Sequence, residues 1–273
     1  DTVRALAGVK AVMERPEPDG AIVLGAHMEA PFLAEAKAGA QLKQYFVDPD
    51  EENWQRYTGG LESVVRLITM APERAGALAF ISALTKKGIT VSIGHTTADA
   101  ETTHAAAEAG ATHVTHTFNA QTPLNHRAPG VPGAALVDDR LQCEVISDGI
   151  HLHPDIVKLI IRTKGKEKLV AITDAMEAAG MPDGQYQLGG QEVFVHEGAA
   201  RLKDGTLAGS TLTMIRAFQN LIRFGATPEE AALMTTKPPA LSIGNEELGE
   251  IELGAPAIFS RFDENYAFKG TVG

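Results

Sequence analysis

The sequence predicts an α/β fold of parallel β/α units wound into a TIM-like (β/α) barrel, and three observations carry that reading. Short apolar runs of strand length alternate with helical stretches between residues 20 and 176. Polar residues able to do chemistry fall at the C-terminal ends of those runs, the face where a barrel assembles its active site. Neither G-x-G-x-x-G nor G-x-x-x-x-G-K-[ST] occurs, which argues against an open doubly wound sheet.

Residues 3–14 read as a helix stopped by the Pro- and Gly-rich stretch after it. Six strand runs follow: "AIVLGA", "VVRLITM", "ITVSIG", "THVTH", "CEVIS" and "LVAIT". Between them lie "ERAGALAFISALTKKG", a helix closed by Gly88, and "TADAETTHAAAEAG", opened by Thr97 or Asp99 and closed by Gly110. After Asp174 the texture turns Gly-rich with short alternating runs, which predicts β-hairpins. "STLTMIRAFQNLIRFG" sets Leu212, Ile215, Phe218 and Ile222 on one helical face. A second helix opens at Thr227, with Pro228 at its first position and Glu230 completing a capping box. The last segment reads as a pair of short strands. The boundaries expected are a barrel domain over 1–245 and a small β domain remnant over 246–273.

At 273 residues and 44% hydrophobic content, the chain can bury a proper core. No apolar stretch reaches the ~18 residues of a membrane span. A net charge of −11 argues against a nucleic-acid surface but leaves room for a small anion held by one or two Arg or His. The single cysteine, Cys143, excludes an internal disulfide, fits a reducing cytoplasm and reads as a buried core residue.

Glu29, His95 and His116 each stand at or just past the end of an apolar run. One carboxylate and two imidazoles make a ligand set for a divalent metal such as zinc or iron. Their spacing has no local signature, so each His alone has a core or capping alternative. His27 shares a face with Glu29 and is a ligand or a supporting residue. His113 and His116 compete, since opposite-facing strand positions cannot both point inward. Asp174 can bind metal, act as base toward water, or cap a helix over "DAMEAAG". Asn119 and Arg127 lie in a Pro-rich loop suited to anion recognition, or to a plain surface turn. Of His151 and His153, one can reach the site while the other packs or is exposed.

Taken in order, "HMEAPF", "APE", "GHT", "THTFNAQTPLNHRAPG", "DGIH", "TDAM" and "DGTLAGS" cover residues 27–210. By these motifs the chain resembles the N-acetylglucosamine-6-phosphate deacetylase family of the amidohydrolase superfamily. The resemblance implies a TIM-like metal-dependent hydrolase barrel that removes acetate from N-acetylglucosamine 6-phosphate. It implies one divalent metal, zinc or iron, on Glu29, His95 and His116, with Asp174 as the catalytic acid and base. Ala40, Gln41, Asn119, Ala120, Arg127 and His151 would contact the sugar phosphate, with Leu207, Ala208 and Gly209 lining the pocket. Arg127 would reach the site of a neighbouring subunit in a homodimer.

Three departures from the family pattern stand out. Gln41 replaces a histidine near the substrate carbonyl, which implies weaker polarisation or a shifted substrate preference. Ala30 replaces a glycine and would be strained at a positive φ. By family order Glu29 would stand on the third strand and Asp174 on the eighth, so the first two strands, with the position governing a second metal, are expected to be missing. The competing expectations are therefore the gluco deacetylase, a deacetylase for N-acetylgalactosamine 6-phosphate, and a non-catalytic truncated relative.

Overall fold

The computed structural model describes residues 2–17 and 20–273, which form two compact units, 1–141 and 142–273. Unit one opens with α1 (Thr2–Glu14) and then carries four parallel strands in the order β1 (Ala26–Met28), β2 (Val65–Met70), β3 (Thr90–Ile93), β4 (His113–Val114). Helices α2 (Glu51–Thr58), α3 (Ala77–Lys86), α4 (Ala100–Ala109) and α5 (Gly130–Val137) alternate with them. In unit two, β5 (Gln142–Ile146) and β6 (Leu169–Ile172) pair in parallel around α6 (Pro154–Lys168). A three-stranded antiparallel sheet follows, β7 (Gly184–Leu188), β8 (Gln191–His196) and β9 (Ala199–Arg201). Three helices, α7 (Met214–Arg223), α8 (Pro228–Met234) and α9 (Lys237–Ser242), lead to a terminal hairpin of β10 (Phe259–Phe262) and β11 (Phe268–Val272).

All six predicted parallel strands form, and five lie within their apolar runs or within one residue of them. The first is displaced: its apolar run opens irregularly at residues 21–25, and β1 begins only at Ala26. Ile22 is exposed rather than core, and Gly25 has φ 155° with Arg66 Cγ 2.4 Å from where a Cβ would stand. The backbone therefore bends at that glycine before it can pair with β2.

Local chemistry fixes the helix ends. Asp99 accepts from the Thr102 amide at 2.8 Å and Gly110 closes α4 at φ 114°. Thr227 and Glu230 make both bonds of the expected capping box. On α7 the fully buried positions are Ala217 and Leu221, while Ile215, Phe218 and Ile222 are only partly covered, so the buried face is rotated from the predicted one. The displaced residues have a partner: Phe218 stacks on Phe262 of the terminal hairpin with ring centroids 4.6 Å apart, and Gln219 Nε2 donates to the Tyr266 carbonyl at 2.7 Å.

In unit one the core is anchored by Phe32, Trp54 and Phe80, packed edge to face at 5.6 and 6.3 Å. The Trp54 indole N–H is satisfied by Glu62 Oε2 at 2.7 Å. Among the described residues no helix is long and apolar enough to cross a membrane.

Candidate metal centre

Three side chains from three strand ends of unit one converge. Glu29 follows β1, His95 follows β3 and His116 follows β4. Glu29 Oε1 lies 2.8 Å from His95 Nε2 and 3.1 Å from His116 Nε2, and the two Nε2 atoms are 3.1 Å apart. Both imidazoles are about 5% exposed. Burial alone would raise the Glu29 carboxyl pKa. Hydrogen bonds and charge from His116 and His95 outweigh that and hold it well below the usual carboxylate range.

The tautomer of His95 bears on what this cluster is for. His95 Nδ1 sits 2.6 Å from the Lys37 carbonyl, which can only accept, so Nδ1 carries the proton. In a neutral ring Nε2 then faces Glu29 Oε1 with a lone pair, and in the imidazolium it donates to that oxygen. Two lone pairs at 2.8 Å repel unless a proton or a cation lies among them, and this backing of the distal nitrogen is the usual support of a ligating histidine. The donor set thus fits a divalent metal.

The loop between β1 and α2 reinforces the cluster. Besides the Lys37 carbonyl on His95, Gln41 Nε2 donates to Glu29 Oε2 at 2.6 Å. Gly39, between them, has φ 57°, and a Cβ there would stand 3.3 Å from His95 Cε1, so a side chain would crowd the ring. Ala30 does not adopt a positive φ, so the strain expected from replacing the family glycine is absent.

Backbone strain concentrates on the candidate residues. Of seven described non-glycine residues at positive φ, four are candidates, His95 (47°), His116 (30°), Ala120 (51°) and Asp174 (49°), and a fifth, Phe118 (78°), lies between two of them. Each such residue costs on the order of 1–3 kcal/mol and persists only where its surroundings over-determine it. At His95 the surroundings are visible. Glu73, the acid of "APE", accepts from the hydroxyl of Thr96 and from the amide and hydroxyl of Thr97 at 2.6 and 2.8 Å. Thr96 N donates to the Ala120 carbonyl at 3.2 Å, and Ala34 N to the His95 carbonyl at 2.9 Å. Glu73→Ala should lower the thermal midpoint of the metal-free chain by ~2–8 °C, the equivalent of ~1–2 kcal/mol. Differential scanning calorimetry checks this, and an unchanged midpoint would remove the clamp role.

His27 is not among the converging three. Its Nε2 lies 2.8 Å from Thr69 Oγ1, at one end of a hydroxyl chain through Thr115 to Ser92 that ties β1, β2, the end of β4, and β3 together. His113 is buried on β4 with Nδ1 2.9 Å from Thr112 Oγ1. Asn119 Nδ2 donates to the His116 carbonyl at 3.1 Å, and Arg127 lies exposed in its loop.

In unit two, Asp174 follows β6, and its carbonyl accepts from Ser210 N at 2.7 Å. That contact lays Asp174 beside the segment of Leu207, Ala208 and Gly209, and turns rather than a helix follow it, so the capping alternative is not realised. His151 Nδ1 is 2.7 Å from Asp148 Oδ2, while His153 is exposed and caps α6. The partners Asp148, Glu73 and Lys37 carried no assigned role in the sequence; the i,i+3 spacing of Asp148 and His151 was the one available signal.

Residues 2–270 match the amidohydrolase family. The chain belongs to this family. Among amidohydrolase relatives, N-acetylglucosamine-6-phosphate deacetylase of Bacillus subtilis is 41% identical over 243 residues, covering 87% of this chain and 61% of that protein. N-acetylgalactosamine-6-phosphate deacetylase of Escherichia coli O157:H7 is 38% identical over 255 residues, covering 92% of this chain and 67% of that protein. A solved structure of an N-acetyl-D-glucosamine-6-phosphate deacetylase variant from Mycobacterium smegmatis, in complex with N-acetyl-D-glucosamine-6-phosphate, superposes with a TM-score of 0.92 at 36% identity, covering 99% of this chain and 71% of that one. The chain therefore spans roughly two thirds of its relatives' length. The TIM-like (β/α) hydrolase fold class expected from the sequence is borne out.

Proposed function

We propose that this chain is the catalytic part of a metal-dependent deacetylase that hydrolyses the acetamide of N-acetylglucosamine 6-phosphate to glucosamine 6-phosphate and acetate. The observation that carries the reading is the convergence of one carboxylate oxygen and two imidazole nitrogens within hydrogen-bond distance, one imidazole backed at its other nitrogen by a backbone carbonyl. Glu29, His95 and His116 would hold one divalent metal, zinc or iron. When bound, that metal lowers the pKa of water toward 7 and polarises a carbonyl. Asp174 takes the proton of the attacking water and returns it to the departing amine, since expelling an amine anion is prohibitive near neutral pH.

Asn119, Ala120, Arg127 and His151 orient the sugar phosphate, with Ala40 on the acetamide side and Leu207, Ala208 and Gly209 as the wall. Asp148 supports this use of His151 by accepting its Nδ1–H and the amides of Ile150 and His151, which fixes the ring. The chain would work in the cytoplasm as a homodimer to which Arg127 contributes across subunits, with residues 246–273 belonging to a small β domain.

A second reading is favoured by the 38% identical galactosamine relative: the 4-epimer as substrate. Acetate release measured on both N-acetylhexosamine 6-phosphates, with the chain loaded with zinc or ferrous iron, decides. Faster turnover of the gluco sugar supports the first reading, and a preference for the galacto sugar replaces it with the second. Tight metal binding with no acetate from either identifies a non-catalytic relative and overturns both.

A further inference from the structure

Gln41 stands where the family resemblance implies a group facing the substrate carbonyl, yet its side-chain amide is already engaged. A carboxylate oxygen only accepts, so the 2.6 Å contact places the Gln41 Nε2–H on Glu29 Oε2. The other carboxylate oxygen, Oε1, is the one that meets both histidines. The two oxygens of Glu29 therefore have divided tasks. The same short loop supplies the Lys37 carbonyl to His95 Nδ1, and a Cβ at Gly39 would stand 3.3 Å from His95 Cε1. Gln41 is itself anchored through its main chain, its backbone N–H donating to the Ala38 carbonyl at 2.9 Å.

Resting on the metal reading above, we infer that Gln41 is a positioning residue for Glu29: it fixes the carboxylate so that Oε1 alone is offered to the metal, and it sets metal affinity rather than recognising substrate. A neutral amide suits this task. It donates to Oε2 without adding a positive charge beside a cation, as a protonated histidine would. Loss of an outer partner of this kind lowers metal affinity roughly 10–100-fold.

The test uses the full chain and zinc, with Gln41→Met, which keeps the volume and removes the donor, and Gln41→Ala. Zinc dissociation constants come from chelator competition, and the cobalt-substituted chain gives a visible spectrum that reports how many ligand atoms surround the ion. The expected result is ~10–100-fold weaker zinc binding in both variants, with an altered cobalt spectrum in Gln41→Met. Wild-type zinc affinity and an unchanged spectrum, together with a raised KM for substrate, overturn the assignment and return Gln41 to the substrate. If the wild-type chain binds no zinc or cobalt, the metal reading itself fails. Glu29→Ala, which should abolish binding whatever Gln41 does, separates the two failures.

Discussion

Glu29→Ala is expected to abolish stoichiometric zinc binding and, with it, measurable acetate release. Glu29 is the one anion in the cluster, and its Oε1 is the atom both histidines approach, at 2.8 and 3.1 Å. Without it, two imidazole nitrogens 3.1 Å apart remain to share a dication with no charge to offset it. The affinity loss should exceed the ~100-fold seen when only an outer partner is removed. Glu29→Gln keeps the shape and loses the charge, so it should fall between wild type and alanine. Metal content after dialysis against a weak chelator reads the effect directly. His95→Ala should behave like Glu29→Ala, because it removes one of the three converging donor atoms. A Glu29→Ala chain that keeps one tight zinc would place the metal elsewhere and end the proposal.

Much of the fold was legible because its signals are local. Asp99 and Gly110 bracket α4, and Thr227, Pro228 and Glu230 open α8, since a cap is decided within four residues of chain. The parallel strands were legible because burial on both faces demands short unbroken apolar runs. Where tertiary packing decides, the sequence misled. The run before β1 is as apolar as the others, but it stays irregular up to Gly25, where Arg66 approaches closely, and the strand starts only at Ala26. The buried face of α7 is rotated because the terminal hairpin covers Phe218 with Phe262, a contact more than 40 residues away that no helical periodicity encodes.

For the site, the three converging residues were recoverable from their position at strand ends, a consequence of the barrel's geometry. Their supports were not. The Lys37 carbonyl on His95 is a backbone atom and leaves no trace in residue identity. Gln41 on Glu29 joins residues 12 apart through a loop whose path depends on Gly39. Glu73 was visible as the acid of "APE", and only its three bonds to Thr96 and Thr97 tie it to the chain that follows the left-handed His95.

Asp174→Asn is expected to retain metal and lose turnover by about 10²–10⁴-fold, the usual contribution of a positioned proton-transfer group. The substitution is close to isosteric and removes the negative charge together with the ability to take and return a proton. Structure argues that it should fold: Asp174 lies at φ 49°, a region that Asn tolerates as well as Asp does, and its bond to Ser210 uses the backbone carbonyl. No helix begins after Asp174, so no N-cap is lost. The loss should therefore appear in kcat, with KM for the sugar phosphate changed little. The converse pattern, a raised KM with kcat intact, would make Asp174 a binding residue. Near wild-type turnover would remove it from the chemistry altogether, and the proton would then have to be carried by another group in the site.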